Sequence, residues 1–355
     1  MFIFSFNLII ILLLITGFIF VGSANNFEYK TFKHLISIVI GLVLFVITST
    51  SMIAIKHLIF NSWILWITSF LVVISTLFIG TTVNGAKSWI YIGNFSFQPS
   101  ELIKFSLPFV FAYLAYVIKN KLVFFVLSMS IFGISTIPIF LQPDLGFSLL
   151  LFFTTLIVNY CYGINGFIIL LTMGLFIIAG SFVIKPYQLE RLITFLDPYK
   201  DPLGNGWQTI QSVNCHINGG LWGQGIGKGI VSKLGFLPEK DTDFIFSLIS
   251  EEIGLIGSLL IICLFLLLIF HLLIIHYKSV QIEHKIISGY VFGIIFIQSF
   301  INIAMNTMSG PITGLPLPLI SYGGTNMVVT LFLLGTMNQI YFQIVQKQKI
   351  DKWIK

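Results

Sequence analysis

The chain has 355 residues, of which 57% are hydrophobic and 9% charged, with a mean hydropathy of +0.99 and a formal net charge of +6. Soluble domains carry roughly 25% charged residues, so a soluble globule is excluded: it would have to bury nearly every residue. No basic tract underlies the positive charge, which therefore implies membrane topology and lipid contact, with no nucleic-acid partner.

Ten apolar runs approach the roughly 20 residues that a spanning helix needs. They lie near 2–22, 35–55, 62–80, 99–118, 121–140, 146–163, 165–184, 245–275, 286–308 and 323–345. The predicted fold is all-α: a single integral membrane domain over 1–355, with about ten transmembrane helices and one long extracytoplasmic loop, 185–245. The first run lacks a basic segment before it and a cleavage site after it, so it is expected to span and not to act as a signal. Cys161, Cys215 and Cys263 are odd in number and widely separated, which implies packing and no disulfide framework.

Lysine placement predicts the orientation, because short cytoplasmic loops carry the excess of positive charge. With both termini inside, the inner loops and tail hold Lys56, Lys119, Lys121, Lys278, Lys285, Lys347, Lys349, Lys352 and Lys355, against Lys30, Lys33 and Lys87 outside. The long loop then faces outward.

The polar punctuation of the spans comes next. "FQPSELIK" (97–104) opens the fourth span with Pro99 at a favoured first position; Glu101 suits a capping arrangement, and Lys104, one turn deeper on the same face, suits an ion pair with it. "LQPDLG" (141–146) repeats the device, with Asp144 near the start of the sixth span. The long loop contains six of the thirteen acids, Glu190, Asp197, Asp201, Glu239, Asp241 and Asp243, together with Arg191, the sole arginine. Its glycine run "GGLWGQGIGKG" (219–229) matches neither GxxxxGK[ST] nor GxGxxG after a strand, which leaves a flexible re-entrant loop. The six histidines lack zinc-ligand spacing.

"FLPEKDTDFIFSLISEEIG" (236–254) concentrates five carboxylates before and within an apolar run. Thr242 or Asp241 is a candidate N-cap, which puts Asp243 in the first helical turn. At 100° per residue, Ser247, Ser250 and Gly254 share the face of Asp243, a small polar stripe expected to line a cavity. Glu251 lies deeper, where an unpaired carboxylate marks either a cavity or a buried partner. "GLPLPLISYGG" (314–324) cannot form regular helix and reads as a re-entrant wall of an outward-facing cavity.

Taken in order with "NGAKSWIYIGNFSFQPSELIK" (84–104), "QPDLG" (142–146), "RLITFLDPYKDPLGNGWQTIQS" (191–212), "GGLWGQGIG" (219–227) and "LGFLPEKDTDFIFSLISEEIG" (234–254), these stretches resemble the SEDS family, the RodA and FtsW proteins of bacterial cell-wall synthesis. The resemblance implies a membrane glycosyltransferase that polymerises lipid II into glycan strands at the outer face of the cytoplasmic membrane. It also implies a class B penicillin-binding protein as crosslinking partner, and Asp243 as the essential acid. The family pattern His-Thr-Asp is here Asp241-Thr242-Asp243, a departure in which like charges would raise a carboxyl pKa. "DPLG" (201–204) and "PLPL" within 315–319 resemble the elongation branch and "LWGQGIG" the division branch; the balance favours elongation.

That chemistry needs a base for the attacking sugar hydroxyl and positive charge for the departing diphosphate. Asp243 suits the first need. Arg191 and Lys104 suit the second, with a divalent cation (Mg or Mn) as an additional source. Trp89, Glu101, Lys104, Asp144, Arg191 and Glu251 are the candidate substrate-binding residues, Trp89 toward lipid or sugar. The alternatives are a lipid II flippase, which would use a membrane-embedded charged cavity for transport, and a non-catalytic scaffold.

Overall fold

The computed structural model describes residues 2–83, 86–93, 95–183, 186–204 and 206–354. Within the motifs above, Asn84, Gly85, Asn94 and Asn205 lie outside the described residues, as does Lys355. The helices are α1 (Phe2–Ala24), α2 (Tyr29–Ser49), the short α3 (Ile55–Phe60), α4 (Ser62–Ile79), α5 (Ser100–Val117), α6 (Lys121–Leu141), α7 (Leu145–Tyr162), α8 (Gly166–Val183), α9 (Pro186–Leu196), α10 (Trp207–Gly219), α11 (Ile230–Lys233), α12 (Ile245–Lys278), α13 (Ile282–Asn306) and α14 (Gly324–Ile354). Among the described residues nine are long and apolar enough to cross a membrane, and Gly166–Gly180 of α8 is a shorter apolar helix where the remaining span was expected. The protein is a multi-pass, all-α membrane protein.

Local chemistry explains where helices begin. Asn120 caps α6 by accepting from Leu122 N (2.9 Å) and Val123 N (3.3 Å), and Asp144 caps α7 by accepting from Phe147 N (3.0 Å). Each side-chain oxygen satisfies amides that have no partner within the helix. The second span is displaced from its expected 35–55: α2 begins at Tyr29 and ends at Ser49. Thr48 and Thr50 return their hydroxyls to Leu44 O and Val46 O (both 2.8 Å), and Ser51 has φ +63°, so the hydroxyl-rich run turns the chain instead of extending the helix. At the other end Lys33 lies 4.5 Å from the Tyr29 ring centroid, an arrangement that extends α2 into the polar boundary.

A feature not expected from the sequence is a three-stranded antiparallel sheet, β1 (Thr81–Val83), β2 (Ala86–Ile92) and β3 (Phe95–Phe97), in the order β1-β2-β3. The long 185–245 connection is also more structured than a loop, because it contains α9, α10 and α11.

The chain forms two compact units. One comprises Met1–Ile36, Leu170–Leu268 and Gln298–Gly323; the other comprises Ser37–Ile169, Ile269–Ile297 and Gly324–Lys355. In the first, Gly17 of α1 lies so near the irregular segment that a Cβ would meet Ile320 Cα, Ile320 O and Leu319 O at 2.8 Å. In the second, α5 packs with α4, α6, α7 and α14, and Phe105 meets Phe332 edge-on with centroids 4.9 Å apart.

Candidate active site

Residues 241–243 precede α12 as a turn, so neither Asp241 nor Thr242 caps the helix and Asp243 lies outside its first turn. Their polar groups go elsewhere. Asp241, 5% exposed, accepts from Asn25 Nδ2 and Lys30 Nζ, both at 3.1 Å. Thr242 Oγ1 donates to Glu239 Oε2 (3.0 Å). The three successive carbonyls are also taken: Asp241 O by Tyr322 N (2.8 Å), Thr242 O by Ser321 Oγ (2.6 Å), and Asp243 O by the amides of Asn302 and Asn306 (2.9 Å each).

This places Asp243 on a backbone fixed at every step, with a half-buried side chain. Its Oδ2 would lie 3.7 Å from a Cβ built on Gly314, which has φ +73°, so the carboxylate faces the irregular segment. That segment is a wall, as its prolines predicted. Gln298 Nε2 donates to Pro316 O and Asn302 Nδ2 to Leu315 O (2.8 Å each), so α13 supplies donors for carbonyls that no helix serves. Beneath lies an apolar cluster of Cys215, Val231, Leu237 and Phe244, with Ile312 packed against it.

The stripe of Ser247, Ser250 and Gly254 does not line a cavity. Ser247 Oγ bonds Asn306 Oδ1 and Ser212 Oγ (2.6 Å each), and Ser250 Oγ bonds His216 Nδ1 (2.6 Å). The small polar face is therefore a seam against α10 and α13. The helix-face count holds for Ser247 and Ser250, whose face α10 and α13 occupy, whereas Asp243 precedes the helix and Gly254 lies at its break.

Nor is the glycine run a flexible loop. Helix α12 breaks at Gly254 (φ 69°, ψ −171°), which frees amides and carbonyls on either side. Gln224 N and Gly225 N donate to Glu251 O (3.0 Å) and Glu252 O (2.9 Å), while Leu255 N and Ile256 N donate to Gly220 O (2.9 Å) and Leu221 O (3.3 Å). Backbone replaces backbone across the break. Gly223, at φ +79°, meets this break so closely that a Cβ would collide with Glu252 O.

Glu251 is fully buried, and its oxygens accept from Val231 N (2.7 Å) and Ser232 N (3.0 Å). Of the two readings offered by its depth, the structure realises the buried partner. Its carboxylate anchors the segment after the glycine run and does not point into a cavity.

Four candidates belong to the second unit. Glu101 and Lys104 form the expected i,i+3 ion pair, 2% and 0% exposed, and Lys104 Nζ also donates to Asn326 Oδ1 (2.6 Å). Glu101 thus pairs with lysine and does not complete a cap. Asp144, half-buried, caps α7 and approaches Gln98 Nε2 at 3.5 Å. Trp89 is half-buried on β2, where its carbonyl accepts from Thr81 Oγ1 (3.2 Å).

Arg191 is exposed on α9 and lines a cavity of about 320 Å³ with Thr194, Trp207, Gln208, Pro238 and Ile312. Among the described residues no three His, Cys, Asp or Glu side chains stand together as a metal-binding group. The divalent cation considered above therefore has no three-ligand protein site among them.

The family model FTSW_RODA_SPOVE, described as cell cycle protein, matches residues 1–345. The chain belongs to the FtsW/RodA/SpoVE family. A "Probable peptidoglycan glycosyltransferase FtsW" of Wigglesworthia glossinidia brevipalpis is 40% identical over 281 residues, covering 76% of this chain and 72% of that protein. The "Peptidoglycan glycosyltransferase MrdB" of Escherichia coli K12 is 32% identical over 343 residues, 94% of this chain and 92% of that one. Among solved structures, a chain described under "Structural coordination of polymerization and crosslinking by a peptidoglycan synthase complex" superposes with a TM-score of 0.82 at 28% identity, covering 97% and 98% of the two chains. Thermus thermophilus RodA shares the fold at a TM-score of 0.70 and 24% identity, covering 95% of this chain and 96% of that one. The resemblance drawn from the motifs is borne out, and FtsW and MrdB names both occur among the relatives.

The sequence reading of this family member passed over His216. In the fold its Nε2 donates to Asn306 O (3.0 Å), since a carbonyl can only accept, while Nδ1 pairs with the Ser250 hydroxyl (2.6 Å). Burial pushes its pKa below the ordinary value, against the opposing hydrogen bond to Asn306. Burial, followed by the charge and hydrogen bond of Glu251, raises the Cys215 thiol, so this cysteine is inert packing as expected. The i, i+4 spacing of Ser212 and His216 opposite Ser247 and Ser250 was the available signal.

Proposed function

We propose that this chain is a peptidoglycan glycosyltransferase that polymerises lipid II at the outer face of the cytoplasmic membrane, with Asp243 as general base. The observation that carries the reading is the immobilised 241–243 turn, which presents one half-buried carboxylate against the Gly314 wall. Family membership and the glycosyltransferase names of the relatives supply the reaction class.

In the proposed step a sugar hydroxyl of one lipid-linked molecule attacks the anomeric carbon of another. The new C–O bond forms as the bond to undecaprenyl diphosphate breaks with inversion, and the hydroxyl proton passes to Asp243. A carboxylate can take that proton only if it is held at hydrogen-bond distance, which the triply bonded backbone favours. Asp241 keeps its own charge away from this task by pairing with Lys30.

Arg191, exposed beside a polar cavity, is the cation we assign to the diphosphate. Lys104 is already matched by Glu101, so the pair is assigned to shaping its unit; Trp89 and Asp144 keep lipid- and sugar-facing assignments. Glu251 supports the site through the backbone it anchors. A divalent cation enters this proposal only as a companion of the diphosphate substrate, and chelation followed by readdition of Mg or Mn tests it: an unaltered rate would dismiss it.

We further assign a class B penicillin-binding protein as partner, an elongation role from "DPLG" and "PLPL", and both termini to the cytoplasm. The flippase and scaffold alternatives draw no support from relatives that bear glycosyltransferase names. Purified protein in liposomes with external lipid II tests the central claim. Asp243→Asn is expected to lower polymerisation by about 10²- to 10⁴-fold, the usual worth of a general base; a parental rate would refute the assignment.

A further inference from the structure

A second cavity, of about 230 Å³, lies in the other unit where the end of α12, the start of α13 and the last turns of α14 come together. Its lining is Lys278, Val280, Gln281, His284, Gln343, Ile344, Lys347 and Gln348. Two lysines and three carboxamides line it together with Val280, which is exposed, and Ile344, which is buried, and no carboxylate lines it. Lys347 and the three glutamines are outward-lying or half-buried side chains, whereas His284 is 6% exposed.

The position restricts the ligand. All three contributing helices are long, apolar spans, so their shared end lies where the hydrocarbon core gives way to lipid headgroups. Lys278 approaches Tyr341 at 5.9 Å from the ring centroid, a lysine–aromatic pairing suited to that boundary. An anion held there must carry both a phosphate for the lysines and amides and an apolar portion for Val280 and Ile344. Phospholipids bearing net negative charge have both.

We propose that this cavity is a headgroup site for an anionic phospholipid, with Lys278 and Lys347 on its phosphate and Gln281, Gln343 and Gln348 on its phosphate and glycerol oxygens. The inference is independent of the catalytic assignment, because every lining residue lies in a different unit from Asp243. It also gives the lysine excess at this end a specific use beyond diffuse attraction, which contributes about a five-fold gain in affinity per lysine near an anionic surface.

The test uses the full-length protein in detergent and in nanodiscs. Native mass spectrometry with phosphatidylglycerol, cardiolipin or phosphatidylcholine is expected to show retention of the first two only. Combining Lys278→Gln with Lys347→Gln is expected to weaken retention by on the order of 10³-fold, the diffuse share of two lysines together with their lost direct contacts to the phosphate. Combining Lys119→Gln with Lys349→Gln, which removes equal charge outside the cavity, is expected to cost no more than the diffuse share of two lysines, about 25-fold. Equal losses from both pairs would reduce the site to diffuse surface charge and overturn the proposal. Inorganic phosphate or a nucleotide binding the lipid-free protein as tightly would overturn it in favour of a soluble anion. Should the paired variant fail to fold, the parental protein decides: greater thermal stabilisation by phosphatidylglycerol than by phosphatidylcholine nanodiscs supports the site, and equal stabilisation rejects it.

Discussion

Asp241 illustrates how one residue's effect depends on what stands opposite it. Two carboxylates two residues apart imply mutual repulsion, yet Asp241 is directed to Lys30 and Asn25 while Asp243 faces Gly314. Lys30 is 57% exposed and its partner 7%, so the pair's worth is orientation more than stability. Lys30→Met is expected to lower turnover on the order of 10-fold with little change in KM, as small misplacements of a reacting group do. Exchanging the two as Lys30→Asp with Asp241→Lys should recover part of it; steady-state polymerisation kinetics would check both. His216 supplies a pH signature. Its folded pKa is depressed, so the unfolded chain binds the extra proton first: stability is complete above about 6.5 and falls as pH drops through that value. Thermal unfolding from pH 8 to pH 5 is expected to show a smaller loss for His216→Gln than for the parent. Neither role was readable from composition, because both depend on partners 90 or more residues away.

At the scale of elements, the prediction concerns Gly254. Its φ 69°, ψ −171° is a region essentially confined to glycine, and a Cβ would strike the backbone of Gly223. Gly254→Ala is expected to cost about 3 kcal/mol or more, the sum of backbone strain and a displaced segment, measurable as a lower melting temperature in detergent. The long apolar run concealed this break, since hydropathy is insensitive to a helix that bends without changing composition. The Glu101–Lys104 pair was legible because its signal is local, three residues on one face. The sheet at 81–97 was not expected although Thr81, Thr82 and Val83 favour strands and the sequence carries Asn-Gly at 84–85, a hairpin signal; its strands are too short to stand out by hydropathy beside the flanking spans. The Ser247–Ser250 stripe shows the opposite failure: periodicity located a polar face but could not tell a cavity from a packed helix.

For the whole molecule, length and hydropathy determined the class, because apolar runs of spanning length have few other uses. The positions of most helices followed, and α2 was displaced where hydroxyl groups ended it. Orientation rests on lysine asymmetry, and it makes a prediction of its own. Reporter fusions or cysteine labelling are expected to find Lys119–Lys121 and the α12–α13 connection inside, and residues 197–204 outside; the reverse pattern would move Asp243 to the wrong leaflet for lipid-linked sugars. The site itself was legible as a stretch but not as an arrangement, because the groups fixing 241–243 come from the turn after α1, from α2, from α13 and from the proline-rich segment.

The Lys30–Asp241 contact joins positions separated by 211 residues. A lineage that replaces the acid at 241 with an uncharged residue removes the reason for a cation at 30, and one that loses the cation leaves a buried negative charge. The two positions should therefore drift together through descent, so that a collection of relatives, compared column by column, would betray this link without any coordinates at all.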